Sequence, residues 1–177
     1  GLNAGIDFVE RNFDDIIKSK PRLILMNKFD LADKELTNQW INHFEKQGIK
    51  VIPISCSTGF GVNKVIPEAK SVIADRIQKD KEKGLTRSLK LMMVGIPNVG
   101  KSSLINRLAG KASTITGDRP GVTRGKQWIR LKDGVELLDT PGILPPKFED
   151  EQVAKNLAYT GAIKDNIINI ELLSYSL

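Results

Sequence analysis

The stretch Gly95-Ile96-Pro97-Asn98-Val99-Gly100-Lys101-Ser102 has the residue types and spacing of a phosphate-binding loop. Its bounding glycines let the backbone turn so that N–H groups face an anion, and a helix starting at the Lys-Ser pair adds its positive end. Lys101 would reach the terminal phosphates as a point charge, and Ser102 would offer its hydroxyl to Mg²⁺. The flanks have the order this chemistry needs. The apolar run Leu89-Lys90-Leu91-Met92-Met93-Val94 precedes the loop as a strand, and Ser103-Leu104-Ile105-Asn106-Arg107-Leu108 follows as a helix. A strand–turn–helix carrying these residues by chance is the bland alternative. The context favours a site for a nucleoside triphosphate.

Other segments supply what a guanine nucleotide would require. In Asn27-Lys28-Phe29-Asp30, the Asp30 carboxylate can accept from both the ring N–H and the exocyclic amine of guanine, a pair adenine does not present at that edge. Asn27 would tie this loop to the phosphate loop, and the stem of Lys28 would cover the base. Ser55-Cys56-Ser57 has the form of a short loop whose backbone N–H groups meet the base oxygen, with Cys56 at the small-residue position. A reactive thiol is the rival for Cys56, but no histidine or other base neighbours it in sequence. Thr123, in Pro120-Gly121-Val122-Thr123, would supply a second hydroxyl to Mg²⁺. Asp139 would hold the metal through water, and the Gly142 N–H would contact the γ-phosphate.

These residues need a scaffold that gathers them at one edge. The apolar run of residues 22–26 reads as a buried parallel strand with Asn27–Asp30 at its C-terminal end, where open α/β sheets bind ligands. Residues 34–47 form an amphipathic helix with Leu36, Trp40 and Phe44 as its stripe, stopped by Gly48. His43 lies on the flank of that stripe. Residues 49–54 make the next strand and lead into Ser55–Ser57. A long helix is expected over residues 63–81, burying Val65, Ile66, Ala69, Val72, Ile73 and Ile77, with Pro67 in its first turn. Residues 127–131 and 135–138 pair as a hairpin across Asp133-Gly134. A helix follows over 149–162. A short strand at Ile6-Asp7-Phe8-Val9, a helix over 12–18 and a functional loop over 111–126 complete the reading. Strands alternating with helices make the class α/β, with a mainly parallel sheet and helices on both faces.

Bulk properties agree. At 177 residues, 40% hydrophobic and 27% charged, the chain is long enough for one domain with a sizeable core. Lys plus Arg exceed Asp plus Glu by 27 − 21 = 6, which suits a polyanionic partner but also solvated lysine-rich helices. The one cysteine excludes an internal disulfide and fits a reducing compartment. No apolar run is long enough to span a bilayer, and no signal or transit peptide is visible, so a cytoplasmic protein is expected.

The motif order carries a further message. In Ras-like GTPases the phosphate loop comes first and the base-reading motif late, whereas here Asn27–Asp30 and Ser55–Ser57 come first. The chain resembles the circularly permuted GTPases of the YlqF/RbgA family, which act in ribosome assembly. The resemblance rests on residues 95–102, Thr116-Gly117-Asp118-Arg119-Pro120-Gly121-Val122-Thr123, Asp139-Thr140-Pro141-Gly142-Ile143-Leu144 and Pro146-Lys147-Phe148-Glu149-Asp150. It covers residues 11–169. It implies a P-loop fold with a base-reading half over 1–78, a charged linker over 79–88, a phosphate and switch half over 89–165, and the start of a helical region over 166–177. It also implies GTP, GDP and Mg²⁺ as ligands, contacted by Asn27–Asp30, Ser55–Ser57, Pro97–Ser103 and Gly142. Lys101, Thr123 and Gly142 would serve hydrolysis, and Asn98 stands where related enzymes help bind K⁺. The implied partner of a monomeric protein is the large ribosomal subunit precursor with its RNA. The family's Trp-Phe/Tyr-Pro-Gly-His-Met and Asp-Ala-Arg-x-Pro segments do not occur in this chain, and Ile143 stands where Ras-type enzymes place a water-orienting glutamine. Slow hydrolysis in isolation is therefore expected. A guanine-nucleotide sensor without turnover is the alternative; an ATPase or small-molecule kinase fits Asn27 and Asp30 less well.

Overall fold

The computed structural model describes residues 20–85, 87–110, 127–132, 134–142 and 151–163. In chain order these form β1 (Leu23–Met26), α1 (Lys34–Lys46), β2 (Lys50–Pro53), a 3₁₀ turn (Val62–Lys64), α2 (Val65–Val72), α3 (Ala74–Glu82), β3 (Leu89–Met93), α4 (Lys101–Ala109), β4 (Gln127–Arg130), β5 (Val135–Asp139) and α5 (Glu151–Tyr159). Strand β1 pairs in parallel with β2, Leu23 opposite Lys50. A second sheet has the order β3-β5-β4, with β3 and β5 parallel and β5 and β4 antiparallel.

Alternation along β1 sorts its side chains to two covers. Leu23 and Leu25 pack with Ile52, Ile54, Val65 and Leu104, while Ile24 and Met26 pack with Phe44, Ile49 and Val51. Helix α1 thus covers one face of the first sheet, and α2 with α4 covers the other. Helix α4 also joins the two sheets. Its Leu104 belongs to the first cluster, and the adjacent Ile105 packs with Ile129 and Leu137 of the second sheet. Helix α5 lies against the phosphate loop, with Leu157 and Ala162 buried around Ile96.

Helix α1 starts as its sequence demands: Asp33 Oδ1 accepts from the Leu36 N–H at 2.8 Å, a cap whose loss costs about 1 kcal/mol. Its buried face differs from the expected stripe. Leu36 is 58% exposed, and Thr37 takes the inward position instead, its hydroxyl donating to the Asp33 carbonyl at 2.6 Å. His43 stays on the flank, edge-on to Trp40 and Phe44, within 2.9 Å of Gln47 Nε2.

The long helix expected over 63–81 is broken. It divides into the 3₁₀ turn, α2 and α3, with the break at Ile73, where φ is −116°. The adjacent β-branched residues Val72 and Ile73 slightly lower helix propensity there, and the Ile73 N–H bonds back to the Lys70 carbonyl in a tighter turn. Helix α3 then runs through the first four residues of the segment read as linker (79–82). The hairpin of β4 and β5 forms across Gly134, whose φ is +69°. Helix α5 is shorter than the expected 149–162. The expectations for residues 6–9, 12–18 and 111–126 lie outside the described residues. No described helix is long and apolar enough to cross a membrane.

Candidate functional site

The C-terminal ends of β1, β2, β3 and β5 converge. The loops that leave β1 and β3 line one cavity of about 320 Å³, with Asn27, Lys28 and Asp30 on one side and Asn98, Gly100 and Ser103 on the other. Leu31, Cys56 and Ser57 complete its wall. Lys28 (φ 62°) and Asn98 (φ 58°) are the described non-glycine residues with positive φ. Such conformations cost of order 1–3 kcal/mol and concentrate at ligand sites. Both line this cavity.

Asn27 is the tie between the loops that its position led us to expect. Its Nδ2 donates to the Val99 carbonyl at 2.7 Å, and its Oδ1 accepts from the Cys56 N–H at 3.0 Å. One amide therefore joins three loops. Gly100 is required for this fit, because a Cβ there would lie 2.2 Å from Asn27 Nδ2 and φ is already +97°.

The Asp30 carboxylate is exposed and oriented. Ser57 Oγ donates to its Oδ2 at 2.9 Å, and Ser55 Oγ stands 2.8 Å from Ser57 Oγ. The hydroxyls of Ser55 and Ser57 hold its carboxyl below the usual aspartate range, so it is an acceptor at neutral pH. Ser55 also accepts from the Thr58 N–H at 3.2 Å. Phe29 stacks on Phe60 with centroids 5.4 Å apart, stapling the loop after β1 to the loop after β2. Burial pushes the Cys56 thiol up despite the nearby Arg107 charge. That opposes thiolate chemistry and fits the small-residue reading over the reactive one.

At the opposite end, Lys101 opens α4 and folds back over its own loop. Its Nζ donates to the Gly95 and Ile96 carbonyls, each at 3.0 Å. Burial lowers its pKa, while the Asp139 charge acts to raise it. Helix α4 has Gly100 as its N-cap with no side-chain cap, so its first-turn N–H groups have no side-chain acceptor there. Ser102, half-buried, is in that turn, and Ser103 reaches the cavity. Asp139 ends β5 opposite Met93, the last residue of β3, and is 4% exposed. Thr140 Oγ1 donates to the Met93 carbonyl at 2.7 Å, fixing the segment beyond β5. Gly142 then passes so close to the phosphate loop that a Cβ would stand 2.7 Å from Pro97 Cα. Asn98 Nδ2 donates to the Gly161 carbonyl at 2.7 Å, linking the loop to the turn after α5.

The donor set suits Mg²⁺. That ion keeps most of its waters and takes few protein ligands beside phosphate oxygens, and a hydroxyl with one buried carboxylate is such a set. Thr123 and Ile143 lie outside the described residues.

Two contributors escape sequence reasoning. Phe60 completes the aromatic staple. Arg107, on α4, donates through Nε to the Cys56 carbonyl and through Nη2 to the Ser57 carbonyl. Its partners are 51 and 50 residues away, so no local pattern could have announced it.

Comparisons with known proteins show what the chain is similar to. The family model described as a 50S ribosome-binding GTPase matches residues 90–171. The ribosome biogenesis GTPase A of Bacillus licheniformis is 51% identical over 173 residues, spanning 96% of this chain and 61% of that protein. Its counterpart in Priestia megaterium is 49% identical over 174 residues, spanning 96% and 60%. The crystal structure of GNP-bound YlqF from T. maritima aligns with a TM-score of 0.57 at 32% identity, over 86% of this chain and 55% of that one. The chain thus spans about 60% of the length of these two sequence relatives.

Proposed function

The chain belongs to the ribosome biogenesis GTPase A family, and from that premise we propose that it binds GTP and GDP and serves a GTPase that assists assembly of the large ribosomal subunit. The observation that carries this reading is that Asp30 and the phosphate loop line one cavity. Asp30 would accept from the two guanine N–H groups, the Lys28 stem and Phe29 would flank the base, and Ser55, Cys56 and Ser57 would frame its oxygen. Residues Pro97 to Ser103 would cradle the phosphates, with Lys101 exchanging its carbonyl partners for phosphate oxygens.

Ser102, Thr123 and Asp139 would hold Mg²⁺, which would offset phosphate charge when bound. Asn98 would contribute to a K⁺ site; equal rates in KCl and NaCl with particles present would remove that role. Gly142 would report the γ-phosphate through its N–H, and its contact with Pro97 places the segment beyond β5 against the loop. Ile143 cannot orient a water, so hydrolysis by this chain alone would be slow. The partner would be a large-subunit precursor and its RNA, met by a monomer in the cytoplasm. The halves over 1–78 and 89–165, joined through 79–88, would act as one nucleotide domain.

Calorimetric titration with GDP and ADP tests the ligand. Tight GDP binding, weak ADP binding and loss of the difference in Asp30→Asn support the reading; equal affinities overturn it. Single-turnover hydrolysis with and without large-subunit particles tests the enzyme. Stimulation supports a GTPase switch. The alternative, a sensor with negligible turnover, draws on Ile143 and expects no stimulation.

A further inference from the structure

We infer that Arg107 is a positioning residue for base discrimination, holding from the phosphate-side helix the peptide groups that meet the base oxygen. The inference rests on the guanine reading above and concerns a residue outside the phosphate and base motifs.

The planar guanidinium forks onto two successive carbonyls, those of Cys56 and Ser57. In a trans peptide the C=O and the following N–H point in opposite directions. Drawing the Cys56 carbonyl toward α4 therefore turns the Ser57 N–H to the opposite side of the loop. The neighbouring donors are already used: the Cys56 N–H by Asn27 Oδ1 and the Thr58 N–H by Ser55 Oγ. The Ser57 N–H makes no hydrogen bond among the described residues, and Ser57 lines the cavity. It is the donor this loop holds for an oxygen on the base.

Gly59 makes room for the fork. Its φ is +89°, and a Cβ there would stand 2.9 Å from Arg107 Nη1. The loop and the arginine are thus fitted to each other. Arg107 leaves the same short helix that begins with Lys101, so phosphate and base contacts share one rigid element. A lysine could satisfy one carbonyl but not fork onto both.

The test compares the wild-type chain with Arg107→Ala and Arg107→Lys by titration with GDP, IDP and ADP, alongside melting curves. GDP and IDP share the 6-oxygen, which ADP lacks. In Arg107→Ala, affinity for GDP and IDP should fall about tenfold, the scale of one hydrogen bond, with ADP affinity unchanged. Arg107→Lys should fall between. Loss shared equally by all three nucleotides, or retained GDP affinity in either folded variant, overturns the inference. Should Arg107→Ala fail to fold, Arg107→Lys decides by the same ratio. A wild-type chain that does not prefer GDP over ADP would instead overturn the guanine reading itself.

Discussion

The base end and the phosphate end of the cavity are built in opposite ways. At the base end, polar groups are bonded across loops: Asn27 to Val99 and Cys56, Ser57 to Asp30, Arg107 to Cys56 and Ser57, with Phe29 stacked on Phe60. At the phosphate end, Asn98 reaches Gly161, but among the described residues Lys101 bonds to carbonyls of its own loop, Gly95 and Ile96. The proposed base-reading end is preorganised, so little ordering cost would remain on binding a base. The phosphate loop instead holds its charge on internal acceptors that a phosphate would replace.

This contrast is sharpened most strongly at Lys101. Lys101→Ala should reduce GDP affinity about 100-fold by calorimetry, since charge-assisted bonds are lost. The melting temperature of the nucleotide-free chain should change little, because burial already works against the lysine charge. Asn27→Ala should behave in the reverse manner. It strips partners from the Val99 carbonyl and the Cys56 N–H, and should cost about 1–3 kcal/mol in urea denaturation without any ligand. If the nucleotide-free chain tolerates Asn27→Ala, the base end is not preorganised.

Phe60→Ala should cost about 1 kcal/mol, the scale of a stacked aromatic pair. Its effect on GDP affinity should exceed its effect on pyrophosphate affinity. The smallest effect concerns pH. An aspartate with lowered pKa contributes stability that is present above its unfolded value and lost as pH falls through its folded one. GDP affinity should therefore stay flat on acidification down to the ordinary aspartate range. In Ser57→Ala the loss should begin at higher pH, because one of the hydroxyls holding Asp30 ionised is gone; coincident pH profiles would remove that role.

Much of the fold was legible because it is written in local patterns. The apolar runs at residues 22–26 and 89–94 and the Asp133-Gly134 turn are signals of period and turn chemistry, and each element appears near its expected bounds. The failures are instructive. Leu36 has the right spacing for the stripe yet is exposed, and Thr37, bonded back to the Asp33 carbonyl, is the buried residue in its place. The expected long helix breaks at Ile73, where adjacent β-branched residues slightly lower helix propensity and the turn tightens despite the amphipathic periodicity.

The sequence by itself determined the chemistry: the phosphate-loop spacing, the carboxylate of Asp30 and the permuted order are properties of residue identity and succession. Only the tertiary structure decided how the two ends are joined. Asn27 reaches Val99 across 72 positions, Arg107 reaches Cys56 across 51, and Asn98 meets Gly161 across 63. Such bonds depend on where the sheets and α4 bring chain segments together, and a hydrogen-bonding side chain at one position carries no mark of a partner so far away. Residue type states what can bind; packing states what is held still to bind it.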